Sequence, residues 1–277
     1  MPRLASCCEA VDEKRNSFGM KLQTFAKVLP VLLREPSVLL GNREYVLIVS
    51  HMRSYSSLLC HILGSHGEIS GHAEMMQPYS RTVDLLRLRY RVHRETDRPL
   101  DGRFILDKIL HNRLAISQKI LDLRRVALVF LLRRPDDTLK SIINMGRTLT
   151  RVEWYLDQEK VLAYYRDRLD RMVELAQTGT ARRVFLESER ILDDTSCVLH
   201  HLSRWLGLAS DLQEPYMIFE STGRPGRGDP SQRIREGRVI RRRDSHDHIV
   251  LDVDVVGKAR VSYEACCAAL RDHCQLL

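Results

Sequence analysis

Short apolar runs alternate with longer segments of helical periodicity along this chain. Runs of strand length lie at residues 45–50, 68–70, 103–108, 126–132 and 183–187. Apolar residues recur at helical spacing at 58–63, 84–93, 152–177 and 196–206, and two further helices are predicted to end at residue 121 and to begin at residue 135. Strands that alternate with helices are typical of a parallel sheet covered on both faces. The pattern therefore predicts a three-layer α/β fold with a mostly parallel central sheet.

The first 40 residues stand apart from this alternation. Residues 1–40 are predicted to be a helical N-terminal extension, and residues 41–277 are predicted to form a single domain. Within the extension, residues 21–33 have apolar side chains on one side of a helix that Pro30 interrupts. Packing of this helix on the domain is favoured over binding to a membrane surface.

Charge and composition narrow the classes of partner. The 277 residues include 44 basic and 36 acidic side chains, and the net charge of +8 suits a nucleic acid, an anionic membrane surface or a small polyanionic cofactor. The aromatic content of 6% counts against a protein that stacks on single-stranded nucleic acid. No apolar run reaches the ~18 residues of a transmembrane helix. Composition alone does not choose among the three partners.

The cysteines predict a reducing compartment. Their number, seven, is odd, and no pair has the CxxC spacing of a zinc site or a redox motif. The amino terminus also lacks the uninterrupted apolar core of a secretion signal. We therefore expect reduced thiols, a cytoplasmic location and no bound metal.

A basic, serine-rich turn follows the first strand. It comprises Arg53, Ser54, Tyr55, Ser56 and Ser57, and we call it the first basic turn. A strand that passes directly into a helix aims free backbone N–H groups and the positive end of the helix dipole at one point, which favours anion binding. Arg53 adds a guanidinium suited to phosphate, and the three serines add hydroxyl donors. The alternative is a surface arginine beside a serine-rich helix cap.

Charged residues follow several of the predicted strands. Arg53, Glu74, Lys108 and Arg133 all lie at or just beyond strand ends. In open parallel sheets, ligands bind beyond the carboxyl ends of the strands. We therefore expect these four side chains to belong to one site at that edge of the sheet.

Two segments in this order resemble the sulfotransferases that use 3′-phosphoadenosine 5′-phosphosulfate (PAPS). Residues 52–59 resemble the loop that binds the 5′-phosphosulfate, with Tyr55 at the position where the family usually has glycine. Residues 129–143 resemble the 3′-phosphate segment, in which Arg133 ends a strand, Pro135 follows, and Ser141 comes eight residues after the arginine. That spacing places Ser141 two helical turns along, so that both side chains can hold one phosphate.

Two later segments extend the resemblance to about residues 43–240. Residues 184–208 are similar to the family's late strand, acidic turn and helix, although Ser188 stands where tyrosine is common. Residues 221–229 resemble the glycine-rich loop that closes over the cofactor. Arg224 or Arg227 would reach a phosphate there, and Gly226 and Gly228 would permit close backbone approach. The resemblance implies a sulfotransferase fold similar to that of P-loop nucleotide hydrolases.

The resemblance also implies a reaction and a set of site residues. A sulfuryl group would pass in line from PAPS to a hydroxyl or amine acceptor, leaving adenosine 3′,5′-bisphosphate. The cofactor-binding residues implied are the first basic turn (Arg53, Ser54, Tyr55, Ser56, Ser57) together with Arg133, Ser141, Arg227 and Gly228. No metal is expected.

Three residues are the implied catalytic groups. Arg53 and Lys108 would neutralise charge on the bridging and sulfuryl oxygens. Glu74, in the loop after the second strand, is the predicted general base, as in carbohydrate-directed members that this chain resembles. His72 and His111 are the alternative bases.

Other functions stay open at this point. A P-loop kinase or nucleotide hydrolase needs Gly-x-x-x-x-Gly-Lys-Ser/Thr, which this chain lacks. A basic nucleic-acid-binding module is the third hypothesis, and it predicts affinity that falls steeply with salt. For the sulfotransferase, the expected partner is a small-molecule, carbohydrate or lipid-headgroup acceptor, without nucleic acid or a transmembrane segment. Assembly as a homo-oligomer stays open.

Overall fold

A six-stranded sheet organises the described part of the chain. The computed structural model describes residues 41–96, 100–148, 152–220, 222–223, 232–242 and 245–277. Its strands are β1 (Glu44–Ser50), β2 (Ile69–Ser70), β3 (Phe104–Ile109), β4 (Val126–Leu132), β5 (Arg182–Glu187) and β6 (Gln275–Leu276). They lie in the order β2-β3-β1-β4-β5-β6, and every neighbouring pair is parallel. The predicted α/β fold with a parallel sheet is confirmed.

The central strands are buried on both faces. All residues of β3 and β4 are buried, and in β1 only Glu44 is partly exposed. Continuous apolar runs are expected for strands covered by helices on both sides. Because β1 lies between β3 and β4, the residues that follow these three strands meet at one edge of the sheet.

Helices cover the sheet, and local signals mark the start of one and the end of another. The helices are α1 (Ser56–Gly64), α2 (Thr82–Thr96), α3 (Gln118–Leu121), α4 (Pro135–Thr148), α5 (Gln158–Gln177), α6 (Arg190–Asp193), α7 (Thr195–Leu206) and α8 (Val253–His273), with 3₁₀ turns at Glu153–Leu156 and Gln232–Glu236. Helix α4 begins at Pro135, whose fixed φ suits the first helical position. Helix α7 ends at Gly207, which adopts the left-handed conformation with φ of 68°.

Two predicted helices differ from the structure. The helix expected to lead from His111 to Leu121 is only the four residues of α3. Before it, Tyr79 forms a bridge with Ile116, donating its N–H to Ala115 O at 2.8 Å and accepting the Ser117 N–H at 2.9 Å. These backbone groups are therefore unable to make helical hydrogen bonds.

The long helical region predicted at 152–177 is divided. A 3₁₀ turn precedes α5, and Asp157 separates them with extended backbone. The Asp157 carboxylate accepts the N–H groups of Glu159 and Lys160, which is the hydrogen bonding of an N-cap.

The carboxyl-terminal part of the fold was missed in the sequence. Helix α8 packs against α5, and β6 adds a sixth strand by pairing Gln275 with Val184. The buried side of α8 is made of small or polarisable residues such as Ala259, Cys266 and Cys267, which give weak apolar periodicity. The predicted N-terminal extension lies outside the described residues. Among those residues, no helix is long and apolar enough to cross a membrane.

Candidate functional site

The first basic turn keeps a left-handed backbone without glycine. Tyr55, at the N-cap of α1, has φ of 62°, and Arg53 has the same φ. This conformation costs a non-glycine residue about 1–2 kcal/mol. The Arg133 guanidinium lies 4.3 Å from the centre of the Tyr55 ring, and such cation–π contacts contribute about 0.5–2 kcal/mol. The tyrosine side chain therefore offsets part of the strain that it introduces.

The serines of this turn have different surroundings. Ser54 is fully buried, and its hydroxyl donates to His51 O at 2.8 Å, so that it holds the turn together. Ser56 is the first residue of α1 and is also buried. Ser57 Oγ instead accepts a hydrogen bond from Lys108 Nζ at 2.8 Å. Of the three predicted hydroxyl donors, Ser57 is therefore the one in contact with a second strand end.

A neutral histidine connects the turn to β4. His51 is completely buried, and burial lowers its pKa to about 3. Its Nδ1 lies 2.8 Å from Met52 O, and its Nε2 lies 3.1 Å from Arg133 N. The backbone N–H can only donate, so Nε2 is the acceptor and Nδ1 carries the proton. Sequence reasoning missed this role.

Replacing His51 with glutamine is expected to weaken the loss of stability in acid. The pKa of His51 in the folded state lies below the unfolded value of 6.5. Between pH 6.5 and about 3 the unfolded protein therefore binds a proton at His51 and the folded protein does not, so the free energy of unfolding falls as the pH drops through this range. Between pH ~7.5 and ~5 this linkage costs about 2 kcal/mol. Urea unfolding at both pH values measures the change in the free energy of unfolding, which is expected to be larger by this amount in the wild type than in H51Q. The contributions of all other titratable groups are common to the two proteins and cancel in the comparison. Equal pH dependence in both proteins would contradict the neutral, buried histidine.

Arg53 contacts both Arg133 and Ser141, although the resemblance assigns it to the opposite end of the cofactor. Arg53 Nε donates to Ser141 Oγ at 2.9 Å, and Arg133 Nη1 donates to Arg53 O at 2.8 Å. Arg133 is buried, and its Nε has no hydrogen-bond partner in the described ranges. A buried donor without a partner is costly, at about 1–3 kcal/mol, and an anionic ligand would relieve that cost. Asp137 Oδ2 lies 3.9 Å from the other terminal nitrogen.

Lys108 and Glu74 form a second group at the same edge. Lys108 is 1% exposed, and besides Ser57 its Nζ lies 3.9 Å from Glu74 Oε2. Glu74 Oε1 is buried and has no hydrogen-bond partner among the described residues. Burial raises the pKa of Glu74, and the charges of Lys108 and then Arg113 oppose that shift. The pair therefore combines a cation with a carboxylate of increased basicity.

Asp107 positions this group and does not pair with the Lys108 ammonium. Successive side chains of a strand point to opposite faces, which separates the two neighbours. The Asp107 carboxylate accepts the N–H groups of Met75 (2.9 Å) and Lys108 (2.8 Å) and the Tyr79 hydroxyl. Burial raises its pKa to about 7. The bond to Met75 fixes the loop directly after Glu74.

The two alternative histidines lie in different surroundings. His72 is buried and stacks on Phe219, with ring centres 3.7 Å apart and planes at 7°. His111 is partly buried, its ring centre lies 6.1 Å from that of Tyr164, and burial, assisted by Arg113, lowers its pKa to about 4. Stacking occupies one face of His72, whereas His111 stays neutral near the edge of the sheet.

A buried arginine connects the carboxyl ends of β1 and β3. Arg168 of α5 is 1% exposed, donating from Nε to Ser50 O at 2.7 Å and from Nη2 to Ile109 O at 2.5 Å. Its Nη1 donates to Asn112 Oδ1 at 3.0 Å. Arg168 thus holds the last residues of β1 and β3 while adding a positive charge. Its place inside a helix gave no signal in the sequence.

Ser188 is described in the structure, whereas two predicted cofactor-binding residues are not. Ser188 follows β5, and its buried hydroxyl has no hydrogen-bond partner among the described residues. Arg227 and Gly228 lie outside the described residues, so their predicted roles stay predictions. Within the described ranges, no group of three or more His, Cys, Asp or Glu side chains is arranged to hold a metal ion.

Solved structures, and not sequences, match this chain. No protein-family model and no curated protein matches the sequence. The sulfotransferase domain of the Synechococcus PCC 7002 olefin synthase matches with a TM-score of 0.56 and 17% identity, covering 79% of this chain and 94% of that domain. The sulfotransferase domain of the curacin biosynthetic pathway matches with a TM-score of 0.56 and 13% identity, covering 81% and 97%. This chain therefore has the fold of the sulfotransferase domains, as its two basic segments predict.

Proposed function

We propose that this chain transfers a sulfuryl group from PAPS to an acceptor hydroxyl. The observation that carries the proposal is the position of Lys108, whose ammonium contacts Ser57 of the first basic turn and lies 3.9 Å from the buried Glu74 carboxylate. A fixed cation between an anion-binding turn and a base is what sulfuryl transfer requires. The fold shared with two sulfotransferase domains supports the same function.

The residues at the sheet edge fit a doubly phosphorylated nucleotide. The unpartnered Arg133 Nε, with Ser141 and Arg53 beside it, would hold the 3′-phosphate. The first turn of α1 and Ser57 would hold the 5′ end. When bound, PAPS supplies the sulfuryl group and leaves as adenosine 3′,5′-bisphosphate. The described residues thus provide separate cationic groups for the two ends.

Two side chains would act on the transfer itself. Glu74 would accept the proton of the acceptor hydroxyl, and its raised pKa makes it a better base than an exposed glutamate. Lys108 would neutralise charge that develops beside Ser57. Arg53 was predicted to share that task, but its contact with Ser141 favours binding of the nucleotide phosphate. Its catalytic role stays a prediction.

A two-stage experiment tests this function. Purified protein is retained on immobilised adenosine 3′,5′-bisphosphate and eluted with free nucleotide, and transfer of labelled sulfate from PAPS to a panel of small-molecule, carbohydrate and lipid-headgroup acceptors is then measured. We expect specific elution by the bisphosphate and labelling of at least one acceptor class. Retention that salt alone abolishes, without preference for this nucleotide, would support the nucleic-acid-binding alternative.

A further inference from the structure

Three aromatic side chains form a cluster beside the first basic turn. Trp154 and Tyr155 belong to the 3₁₀ turn before α5, and Tyr164 belongs to α5 itself. The Trp154 ring centre lies 4.4 Å from that of Tyr155 and 5.6 Å from that of Tyr164. All three side chains are only partly buried, so the cluster offers aromatic surface to a ligand. We call these residues the aromatic cluster.

Hydrogen bonds fix the aromatic cluster to the predicted site. The Tyr164 hydroxyl accepts the Met52 N–H at 2.9 Å and donates to Leu110 O at 3.0 Å. The Tyr155 hydroxyl lies 3.7 Å from the Met52 sulfur. Met52 directly precedes Arg53, and Leu110 comes two residues after Lys108. The cluster is thus attached to the loops that carry both cationic groups.

An exposed cation lies in the turn after β3. Arg113 follows the end of β3 and is exposed. It lies in the turn in which the Leu114 N–H donates to His111 O at 3.0 Å, and the His111 ring centre lies 6.1 Å from that of Tyr164 in the aromatic cluster. The positive charge of Arg113 also opposes the rise in the pKa of Glu74. Glu74 Oε1, buried without a partner, marks where an acceptor hydroxyl would bind.

We propose that the aromatic cluster and Arg113 select acceptors in which the reacting hydroxyl and a negatively charged substituent are carried by one six-membered ring. The ring face would pack on Trp154 and Tyr155, its hydroxyl would reach Glu74, and its anionic group would pair with Arg113. A phenolic acid and a uronic acid sugar share this chemistry. The role of this acceptor in sulfuryl transfer rests on the proposed function, whereas its binding is tested independently of transfer.

The test measures acceptor binding apart from turnover. Tryptophan fluorescence of the full chain, with and without adenosine 3′,5′-bisphosphate, is titrated with 4-hydroxybenzoate and its methyl ester, and with methyl glucuronide and methyl glucoside. In at least one pair we expect the acid to bind about 10-fold tighter than its neutral partner. The preference is expected to vanish in Arg113→Ala and to survive in part in Arg113→Lys. Arg124→Ala, which removes an exposed arginine at the opposite end of β4, should keep it.

The titrations distinguish failure of the acceptor inference from failure of the proposed function. If neither acid binds more tightly than its neutral partner, or if R113A keeps the preference, the acceptor inference is wrong while nucleotide binding and transfer stand. If the bisphosphate does not bind, the proposed function fails, and the titrations without nucleotide still decide the anion preference. Preference in only one pair assigns the acceptor to the aryl or to the sugar class.

Discussion

Replacing Glu74 with glutamine is expected to lower sulfuryl transfer about 10²–10⁴-fold, the usual contribution of a general base. Glutamine has nearly the same shape and keeps a carbonyl oxygen facing Lys108, but its amide accepts no proton. Affinity for adenosine 3′,5′-bisphosphate is expected to stay unchanged, because Glu74 lies beside Lys108 and the change leaves Arg133 and Ser141 in place. Steady-state rates with labelled PAPS and nucleotide titrations measure the two quantities.

The pH profile adds an independent test of the same residue. Since burial raises the pKa of Glu74, the wild-type rate should fall with decreasing pH at values above those of an ordinary glutamate, and E74Q should lose this acidic limb. Glu264→Gln, an exposed change on α8, is the matched control and should leave both rate and profile unchanged. A rate in E74Q above about a tenth of wild type would exclude Glu74 as the base and turn attention to His111.

Replacing Arg133 with alanine is expected to weaken binding of adenosine 3′,5′-bisphosphate about 10–100-fold, since hydrogen bonds to charged groups contribute ~1.5–3 kcal/mol. The change removes a buried guanidinium whose Nε has no partner in the described part of the chain. It also removes the contact with Tyr55, so thermal unfolding should accompany the titration. Arg134→Ala is the control, because that neighbouring side chain is 58% exposed and its Nε lies 4.0 Å from Glu189.

Ser141→Ala tests the same segment without removing a guanidinium, although it also removes the acceptor of the hydrogen bond from Arg53 Nε. It leaves the bond from Arg133 to Arg53 O intact and removes one hydroxyl, so affinity is expected to fall about 2–10-fold. If R133A and S141A both fold and bind the nucleotide as tightly as wild type, residues 129–143 do not form a phosphate site.

The sequence predicted those features that depend on local patterns. Continuous apolar runs identified the central strands, and Pro135 and Gly207 marked helix ends correctly. The spacing of Arg133 and Ser141 placed one residue at a strand end and the other in the helix that follows, and in the structure each of them contacts Arg53. Local chemistry and regular periodicity were sufficient for these conclusions.

Features that depend on distant contacts were not predictable. Arg168 lies in a charged helix, and nothing in its neighbours indicates that it contacts the ends of two strands. The helix predicted to lead from His111 to Leu121 was wrong in extent because the backbone on either side of Ile116 makes hydrogen bonds to Tyr79. The left-handed Tyr55 is stabilised by Arg133, which comes from another strand. In each case the deciding partner is far away in the sequence.

The buried Arg168 has a consequence for the order of assembly. Its partners Ser50 and Ile109 precede it by 118 and 59 residues, so a growing chain that has not yet made α5 has no group to join the two strand ends. Contacts between distant residues close slowly. The carboxyl-terminal edge of the sheet therefore forms late, and a nascent chain that stops short of α5 lacks the side chain that joins the ends of β1 and β3.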